Sequence, residues 1–305
     1  MKILVTGATG LVGSALVEAL ARDGHTVCRL VRPETRTAGG ARGAFDVTWN
    51  PKTGELGGAA VGAEAVVNLA GASIAGGRWT ASRKRLLRAS RVDVTRALVA
   101  ALGKMNGKPS LLVSASATGF YANRGDDILT ESSTPGEGFL ANLAKDWEAE
   151  ALRAEMFRTR VVLPRFGIIL AENGGALPKM MLPFRMGVGG RIASGQQWMP
   201  WVALNDVVEI IRFVLTTRDV RGPVNVVAPE PVRNADFTRA LAGALHRPAL
   251  VSVPALALKL VLGREMAEEL LLASQRVVPA ALTRIGYRFA HPQLQAALEA
   301  MVARR

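Results

Sequence analysis

Three glycines near the amino terminus have the spacing of a phosphate-binding turn. Gly7 permits a tight turn, Gly10 lets the backbone approach a pyrophosphate without a Cβ clash, and Gly13 lets a helix pack closely on the preceding strand. Because free N–H groups and the helix dipole favour anions at a helix start, the pattern predicts a dinucleotide site. We expect the contacts to come from Thr6, Gly7, Thr9, Gly10, Leu11, Val12 and Gly13.

The end of the next apolar run bears on which dinucleotide binds. In an NAD site, an acidic side chain at this place holds the ribose 2′-hydroxyl. The run ends Arg29-Leu30-Val31-Arg32 and contains no acid. Arg32 can instead hold a 2′-phosphate through two parallel hydrogen bonds. The sequence therefore predicts NADP(H) as the cofactor.

Apolar runs alternate with helical patterns through the first two thirds of the chain. Residues 2–6 form a run that ends at the glycine turn, and apolar residues recur at helical spacing over 11–22. Further strands are predicted at 26–31, 45–49, 65–69, 110–114, 159–163 and 224–227, and further helices at about 80–102 and 139–155. Strands that alternate with helices imply βαβ units and a parallel sheet.

The predicted fold is α/β, a doubly wound parallel sheet of the Rossmann type with a smaller, mainly helical C-terminal substrate lobe. The glycine-rich segment 173–197 breaks the alternation, and the chain after about Pro229 is mostly helical. We predict an NADP(H)-binding domain of residues 1–170, to which residues 200–228 return. The C-terminal lobe would comprise 171–199 and 229–305, with substrate in the cleft between the two parts.

The charge bears on possible partners. The 305 residues carry a formal net charge of +13, and the basic residues are spread along the chain, which favours a solubility effect over a nucleic-acid surface. The densest basic segment, 78–96, fits an amphipathic helix with a solvated basic face, and a second interpretation is a dimer contact. We therefore expect no nucleic-acid partner and a monomer or homodimer. The substrate would be a small molecule, and the positive charge is compatible with an anionic one.

Cysteine and histidine content bears on compartment and metals. Cys28 is the single cysteine, so no disulfide can form within the chain, which fits a reducing compartment. No secretory signal or membrane-spanning run is evident, and we predict a cytoplasmic protein with no membrane partner. The three histidines lack ligand spacing, so no metal is expected.

Several longer motifs resemble the extended short-chain dehydrogenase/reductase superfamily. The turn TGATGLVG, the segment VVNLAGA at 66–72 and the segment SASATGFY at 114–121 carry this likeness. The chain is more closely similar to an atypical branch, the "epimerase family protein" group related to NAD-dependent epimerases and dehydratases. The segments that carry the closer likeness are RWTASRK (78–84), SRVDVTRAL (90–98), KDWEAEA (145–151), GGALPKMMLPFRMGVGGRIASGQQWMPWV (174–202) and GREMAEELLLASQRVVPAALTRIGYRF (263–289).

The resemblance implies further site residues. One strand would end at Asn68, Ala70 and Gly71, and in family members the cofactor lies beside this strand end. Ser116 matches the family serine that polarises a substrate carbonyl. Lys145 matches the family lysine that hydrogen-bonds the nicotinamide ribose. In the family this lysine also lowers the pKa of a tyrosine four residues earlier, one helical turn away on the same face.

The family's catalytic tyrosine is missing, because Ala141 stands in its position. Either Tyr121 replaces it as acid/base, or the chemistry needs no tyrosine, or the protein binds NADP(H) without turnover. The leading interpretation is an NADP(H)-dependent oxidoreductase of unknown carbonyl or alcohol substrate, with Ser116, Tyr121 and Lys145 as catalytic candidates. The alternatives are a non-catalytic NADP(H)-binding regulator or redox sensor, and a nucleotide-sugar epimerase or dehydratase.

Two charged residues farther along, Arg165 and Asp206, lie at predicted boundaries between elements. Arg165 ends a strand that in the family leads into the substrate lobe. Asp206 follows the stretch that resembles the family's return to the sheet, and we expect it to act as a helix cap.

Overall fold

The computed structural model describes residues 1–34 and 43–302 of the chain. Its earlier strands are β1 (Lys2–Thr6), β2 (Thr26–Val31), β3 (Ala44–Asn50), β4 (Glu55–Leu56), β5 (Ala65–Asn68), β6 (Leu111–Ser114), β7 (Ser116–Ala117), β8 (Ile128–Leu129) and β9 (Arg160–Phe166). Its later strands are β10 (Ile168–Ala171), β11 (Gly174–Gly175), β12 (Gly190–Ile192), β13 (Trp198–Met199), β14 (Trp201–Ala203), β15 (Gly222–Val226), β16 (Val232–Arg233), β17 (Val251–Val253) and β18 (Arg276–Val277).

The helices complete the alternation that the sequence predicts. They are α1 (Leu11–Arg22), α2 (Ala81–Arg88), α3 (Val94–Gly103), α4 (Phe139–Leu152), α5 (Leu177–Arg185), α6 (Leu204–Thr216), α7 (Asn234–Leu245), α8 (Ala255–Leu262), α9 (Arg264–Ala267), α10 (Ala280–Arg284) and α11 (Leu294–Val302). A π-helical turn, Ala89–Asp93, joins α2 to α3, so the helix predicted over 80–102 is one continuous run with a wider turn in its middle.

The central sheet runs in the order β15-β9-β6-β5-β1-β2-β3-β4. Its neighbours pair in parallel except β3 and β4, and β7 extends the β6 side by pairing with the end of β9. Thr6 lies opposite Leu30 and Asn68, and Asn68 lies opposite Ser114, so these strand ends meet at one carboxyl edge. The predicted Rossmann fold class is confirmed.

Both faces of the sheet are covered by helices, which explains why its strands are almost wholly apolar. Ile3 and Val5 point to the face covered by α1 and α6, and Leu4 points to the opposite face covered by α3. This alternation follows from the two-residue period of a strand. The sheet is therefore a rigid platform whose carboxyl edge positions the site.

The remainder of the chain has its own apolar core, which α5, α7 and α11 share. Short strand pairs, which the sequence did not predict, brace it: β10 lies between β11 and β14, β12 pairs with β17, and β13 pairs with β16. The exact division into a cofactor domain and a C-terminal lobe stays a prediction.

The basic segment 78–96 keeps several exposed cations, among them Arg85, Arg88 and Arg96, as the sequence predicts, but most of its cations also have protein partners. Arg78 donates to the carbonyls of Leu260 and Val261 at the end of α8. Lys84 pairs with Glu265 at 2.8 Å. In addition, Arg88 pairs with Asp146 and Arg96 pairs with Asp93 and Glu150. These contacts hold the α2–α3 helix against α4 and the C-terminal segment.

Asp206 also differs from its predicted role as a cap. It lies inside the first turn of α6 and is 1% exposed, and Ala203 occupies the capping position. Its carboxylate accepts hydrogen bonds from the backbone N–H groups of Ala290 at 2.7 Å and His291 at 3.0 Å. The side chain therefore anchors the tail that leads into α11. Spacing within one helix could not reveal a partner 84 residues away.

Candidate functional site

The turn between β1 and α1 is as tight as the glycine spacing predicts. Gly7 has a φ of +65°, and a Cβ on it would lie 2.6 Å from the carbonyl oxygen of Leu69. A Cβ on Gly13 would lie 2.1 Å from the carbonyl oxygen of Gly7. A side chain on Gly7 would collide with the backbone that follows β5, and one on Gly13 would push α1 away from the turn, so both glycines are required by close backbone approach.

The start of α1 is open to an anion. Gly10 is the N-cap residue, no side chain caps the helix, and its first turn carries no acidic residue. The N–H groups of that first turn, from Leu11 onward, have no carbonyl within the helix to bond. A Cβ on Gly10 would meet only the carbonyl oxygen of Gly7 within 4 Å, so a ligand can approach the backbone there. Together with exposed Thr9, this turn fits a pyrophosphate.

Thr6 and Asn68 lie at the same edge, but their side chains bond within the sheet. The hydroxyl of Thr6 donates to Asn68 Oδ1 at 2.7 Å and accepts from the N–H groups of Leu69 and Ala70. The amide of Asn68 donates to Thr95 Oγ1 at 2.8 Å and to Ser114 Oγ at 3.0 Å. These bonds fix the chain that leads to Ala70 and Gly71, which are partly or fully exposed beside the turn.

Arg32 directly follows β2, whose end lies beside the end of β1. Its side chain is exposed, whereas Arg29 on the same strand is paired with Asp46 at 2.7 Å. No ion pair joins Arg32 to another residue of the described ranges. Arg32 therefore follows the strand end at which a Rossmann fold holds the adenine ribose.

Ser116 heads a buried network of polar side chains. Its hydroxyl donates to Glu148 Oε1 at 2.6 Å, and the serine is only 2% exposed. Arg165 donates to both carboxylate oxygens of Glu148, each at 2.8 Å, and its guanidinium carbon lies 3.6 Å from the ring centre of Phe120. Because the charges of Glu148 and Arg165 balance, the network can remain ionised away from water.

Tyr121 is the far end of the same network. Its hydroxyl accepts from Arg165 Nη1 at 2.9 Å and lies 2.7 Å from Asn225 Oδ1 and 3.0 Å from the carbonyl oxygen of Thr130. The residue is 0% exposed, and burial raises the pKa of its phenol despite the opposing effect of Arg165. The structure thus brings Tyr121 into contact with the Ser116 network, yet keeps the phenol away from solvent.

The helix α4 carries Ala141, Lys145 and Glu148 at successive turns. Ala141 is 1% exposed, so no open space marks the missing tyrosine, whereas Lys145 is exposed. The helix begins after Gly138 and has no cap of its own. Instead, Glu269 from the C-terminal segment accepts from the N–H groups of Phe139 at 2.9 Å and Leu140 at 2.8 Å. A distant carboxylate therefore supplies the cap.

Sequence reasoning missed Glu148 and Glu269 as members of the site. The pairing of Glu148 with Arg165 has only a weak signal in the sequence. Glu148 follows Lys145 by one helical turn, and Arg165 is a charged residue in an otherwise apolar strand. The sequence contains no such signal for Glu269, because its partner Phe139 lies 130 residues earlier.

The described residues, 1–34 and 43–302, contain neither a clustered metal site nor a membrane-spanning helix. Within these ranges, no group of three or more histidine, cysteine, aspartate or glutamate side chains is arranged to hold a metal ion. None of the helices described there has the length and apolar character needed to span a membrane.

Two family models match the chain. Residues 3–227 match the NAD dependent epimerase/dehydratase family, and residues 253–301 match a domain of unknown function, DUF1731. The chain is 40% identical over 297 residues to the epimerase family protein ML0860 of Mycobacterium leprae. The aligned residues cover 97% of this chain and 94% of that protein.

Solved structures show the same likeness. A crystal structure of the human epimerase family protein SDR39U1 with NADPH matches with a TM-score of 0.89 and 33% identity over 100% of both chains. A UDP-glucuronic acid 4-epimerase from Bacillus cereus, in complex with UDP-glucuronic acid and NAD, matches with a TM-score of 0.78 over 99% of this chain and 98% of that chain. At 16% identity, the second likeness shows the fold alone.

Proposed function

The chain belongs to the NAD dependent epimerase/dehydratase family, and on that premise we propose that it is an NADP(H)-dependent oxidoreductase acting on a carbonyl or alcohol. The observation that carries the proposal is the uncapped start of α1, opened by Gly7, Gly10 and Gly13. The human relative, which was solved with NADPH, supports the choice of nucleotide.

The cofactor would be held by main-chain groups and two cations. The N–H groups of the α1 turn would bind the pyrophosphate, and Arg32 would bind the 2′-phosphate through its planar guanidinium. Lys145, exposed on α4, would donate hydrogen bonds to the nicotinamide ribose. Bound NADP(H) would supply hydride exchange at the nicotinamide ring.

Proton handling in this chain would depend on Ser116 rather than on a helix tyrosine. The single hydroxyl proton of Ser116 is directed to Glu148, so the serine oxygen presents its lone pairs to any substrate group beside it. A substrate alcohol would donate to that oxygen; on oxidation its proton would pass to Ser116 while the serine proton passes to Glu148 Oε1, which would also keep the serine oriented. Arg165 holds the Glu148 carboxylate from its other side and acts as a positioning residue.

Tyr121 contributes to this proposal through Arg165. Since its phenol has no exposed surface, we assign it the support of Arg165 and Asn225 rather than direct contact with substrate. A role as acid/base stays a prediction from the sequence, and would require the turn at Thr118–Tyr121 to open.

A second candidate is a non-catalytic NADP(H)-binding regulator. Buried Ala141 in the tyrosine position favours it, because no phenol stands on α4 to transfer a proton. Both candidates share the nucleotide site, so turnover alone separates them. We also propose a cytoplasmic location, because Cys28 is the single cysteine and the chain therefore uses no internal disulfide.

The first test is titration with NADPH and NADH, followed by nucleotide fluorescence. We expect NADPH to bind more tightly, and Arg32→Ala to remove that preference. Arg218→Ala is the matched control, because Arg218 is exposed and precedes β15 at the opposite edge of the sheet. If neither nucleotide binds the unaltered chain, the oxidoreductase proposal is wrong. If NADH binds as tightly as NADPH, the role of Arg32 is wrong.

A further inference from the structure

A cavity of about 430 Å³ lies between α4 and the C-terminal segment. Gly119 and Leu140 form part of its wall on the sheet side, and the π-helical turn after α9 forms much of the other. Gly119 follows Ser116 by three residues, and Leu140 directly precedes Ala141. The cavity therefore borders both segments that carry the candidate catalytic positions.

The wall of this cavity is acidic although the chain as a whole is basic. It carries the carboxylates of Glu137, Glu268 and Glu269 against the single ammonium of Lys259. Glu268 pairs with Lys259 at 2.8 Å and with Arg264 at 3.1 Å, and Glu269 is bonded to the start of α4. Glu137 is exposed and forms no ion pair within the described part of the chain. In a protein of net charge +13, this local excess of negative charge selects against anions.

A buried amide points to a ligand independently of the charge. Gln275 lines the cavity and is only 7% exposed. Its backbone N–H bonds to the carbonyl of Trp198 at 3.2 Å, but its side-chain amide has no hydrogen-bond partner among the residues the structure describes. The amide lines the cavity and offers both donors and an acceptor to an occupant.

We propose that the cavity binds a small primary amine with a short apolar body. The ammonium would lie among Glu137, Glu269 and the amide oxygen of Gln275, and the apolar body would pack on Leu140 and Leu272. The proposal concerns binding and does not depend on turnover. An amine differs from the anionic substrate that the overall positive charge suggests. A diphosphate or carboxylate would be repelled by the acidic wall of this cavity.

Three probes of one size and shape test the charge requirement: benzylamine, benzyl alcohol and benzoate. Each is titrated into the full chain at low salt without nucleotide and followed by ligand-observed NMR. We expect benzylamine to bind roughly tenfold more tightly than benzoate, because at low salt the carboxylates attract the ammonium and repel the benzoate carboxylate. Equal or tighter binding of benzoate would overturn the proposal.

Two variants locate the binding. Glu137→Gln should weaken benzylamine about three- to fivefold and leave benzyl alcohol unchanged, since an exposed charge is worth little but acts only on the cation. Gln275→Leu should weaken both of these probes, because it removes the buried amide. The control is Glu155→Gln, which removes an exposed carboxylate that does not line the cavity.

Folding and cofactor binding are measured in parallel. Should Gln275→Leu fail to fold, the Glu137→Gln comparison still decides the question, because Glu137 is exposed. NADPH titration of the same samples separates this proposal from the proposed function. Intact NADPH binding with no preference for benzylamine rejects only the amine site, whereas benzylamine binding without NADPH binding rejects only the oxidoreductase.

Discussion

The buried pair of Glu148 and Arg165 permits a quantitative prediction. Glu148 is 6% exposed and Arg165 is 3% exposed, and two hydrogen bonds of 2.8 Å join them. Replacing one member leaves the other as a buried, unpaired charge, which typically costs about 3–5 kcal/mol. We therefore expect Glu148→Gln and Arg165→Met each to lower the free energy of unfolding by roughly 3 kcal/mol.

The double variant is the sharper test. When both charges are removed, neither is left unpaired, so the loss should be well below the sum of the single losses. The coupling energy should reach about 2 kcal/mol, within the range found for residues in one network. With an unfolding entropy of about 2.1 cal/mol/K per residue, each single loss corresponds to a fall in Tm on the order of 5 °C.

Denaturant unfolding followed by tryptophan fluorescence measures these losses. Arg96→Met is the control, because Arg96 forms ion pairs with Asp93 and Glu150 but is about half exposed, and its loss should cost less than about 1 kcal/mol. Additive single losses, each no larger than that of Arg96→Met, would refute the reasoning that the network keeps charge buried. Activity would separate positioning from stability: Glu148→Gln should lower kcat and change its pH profile while NADPH affinity stays unchanged.

Further expectations concern the helix cap, the tyrosines and the thiol. Glu269→Gln should lower the free energy of unfolding by about 1 kcal/mol, measured with denaturant, because it weakens the cap on α4, whereas Glu230→Gln, an exposed control, should not. The pKa values of Tyr121 and Tyr287 are both raised, chiefly by burial, so their neutral forms stabilise the fold up to the unfolded pKa near 10 and this stability is lost as pH rises further. Absorbance at alkaline pH should therefore show phenolate from Tyr121 only as the chain unfolds, and a Tyr121 phenolate in the folded protein would contradict the burial of this residue. Burial likewise raises the pKa of the Cys28 thiol, so a thiol reagent should react only after denaturation, and rapid labelling of the native chain would show that β2 is accessible.

Local patterns predicted the platform better than the polar network on it. The glycine turn and the strand ends at Asn68 and Ser116 depend on short spacings, and the structure places them at one edge of the sheet. The partners of Ser116 could not be found in this way, because Glu148 and Arg165 meet it only after α4 packs on the sheet. For the same reason, short spacings could not reveal the ion-pair partners of the basic segment 78–96, such as Glu265, which come from distant parts of the chain.

The cap on α4 also has a consequence for the order in which the protein is made. Glu269 lies 130 residues after the N–H group of Phe139 that it binds. At a synthesis rate of about 5–20 residues per second, the ribosome needs on the order of ten seconds to add that length. During this interval the emerging chain holds the helix of Lys145 and Glu148 without its cap. Completion of the site therefore waits for the C-terminal segment, which makes a chain released early unable to present a finished α4.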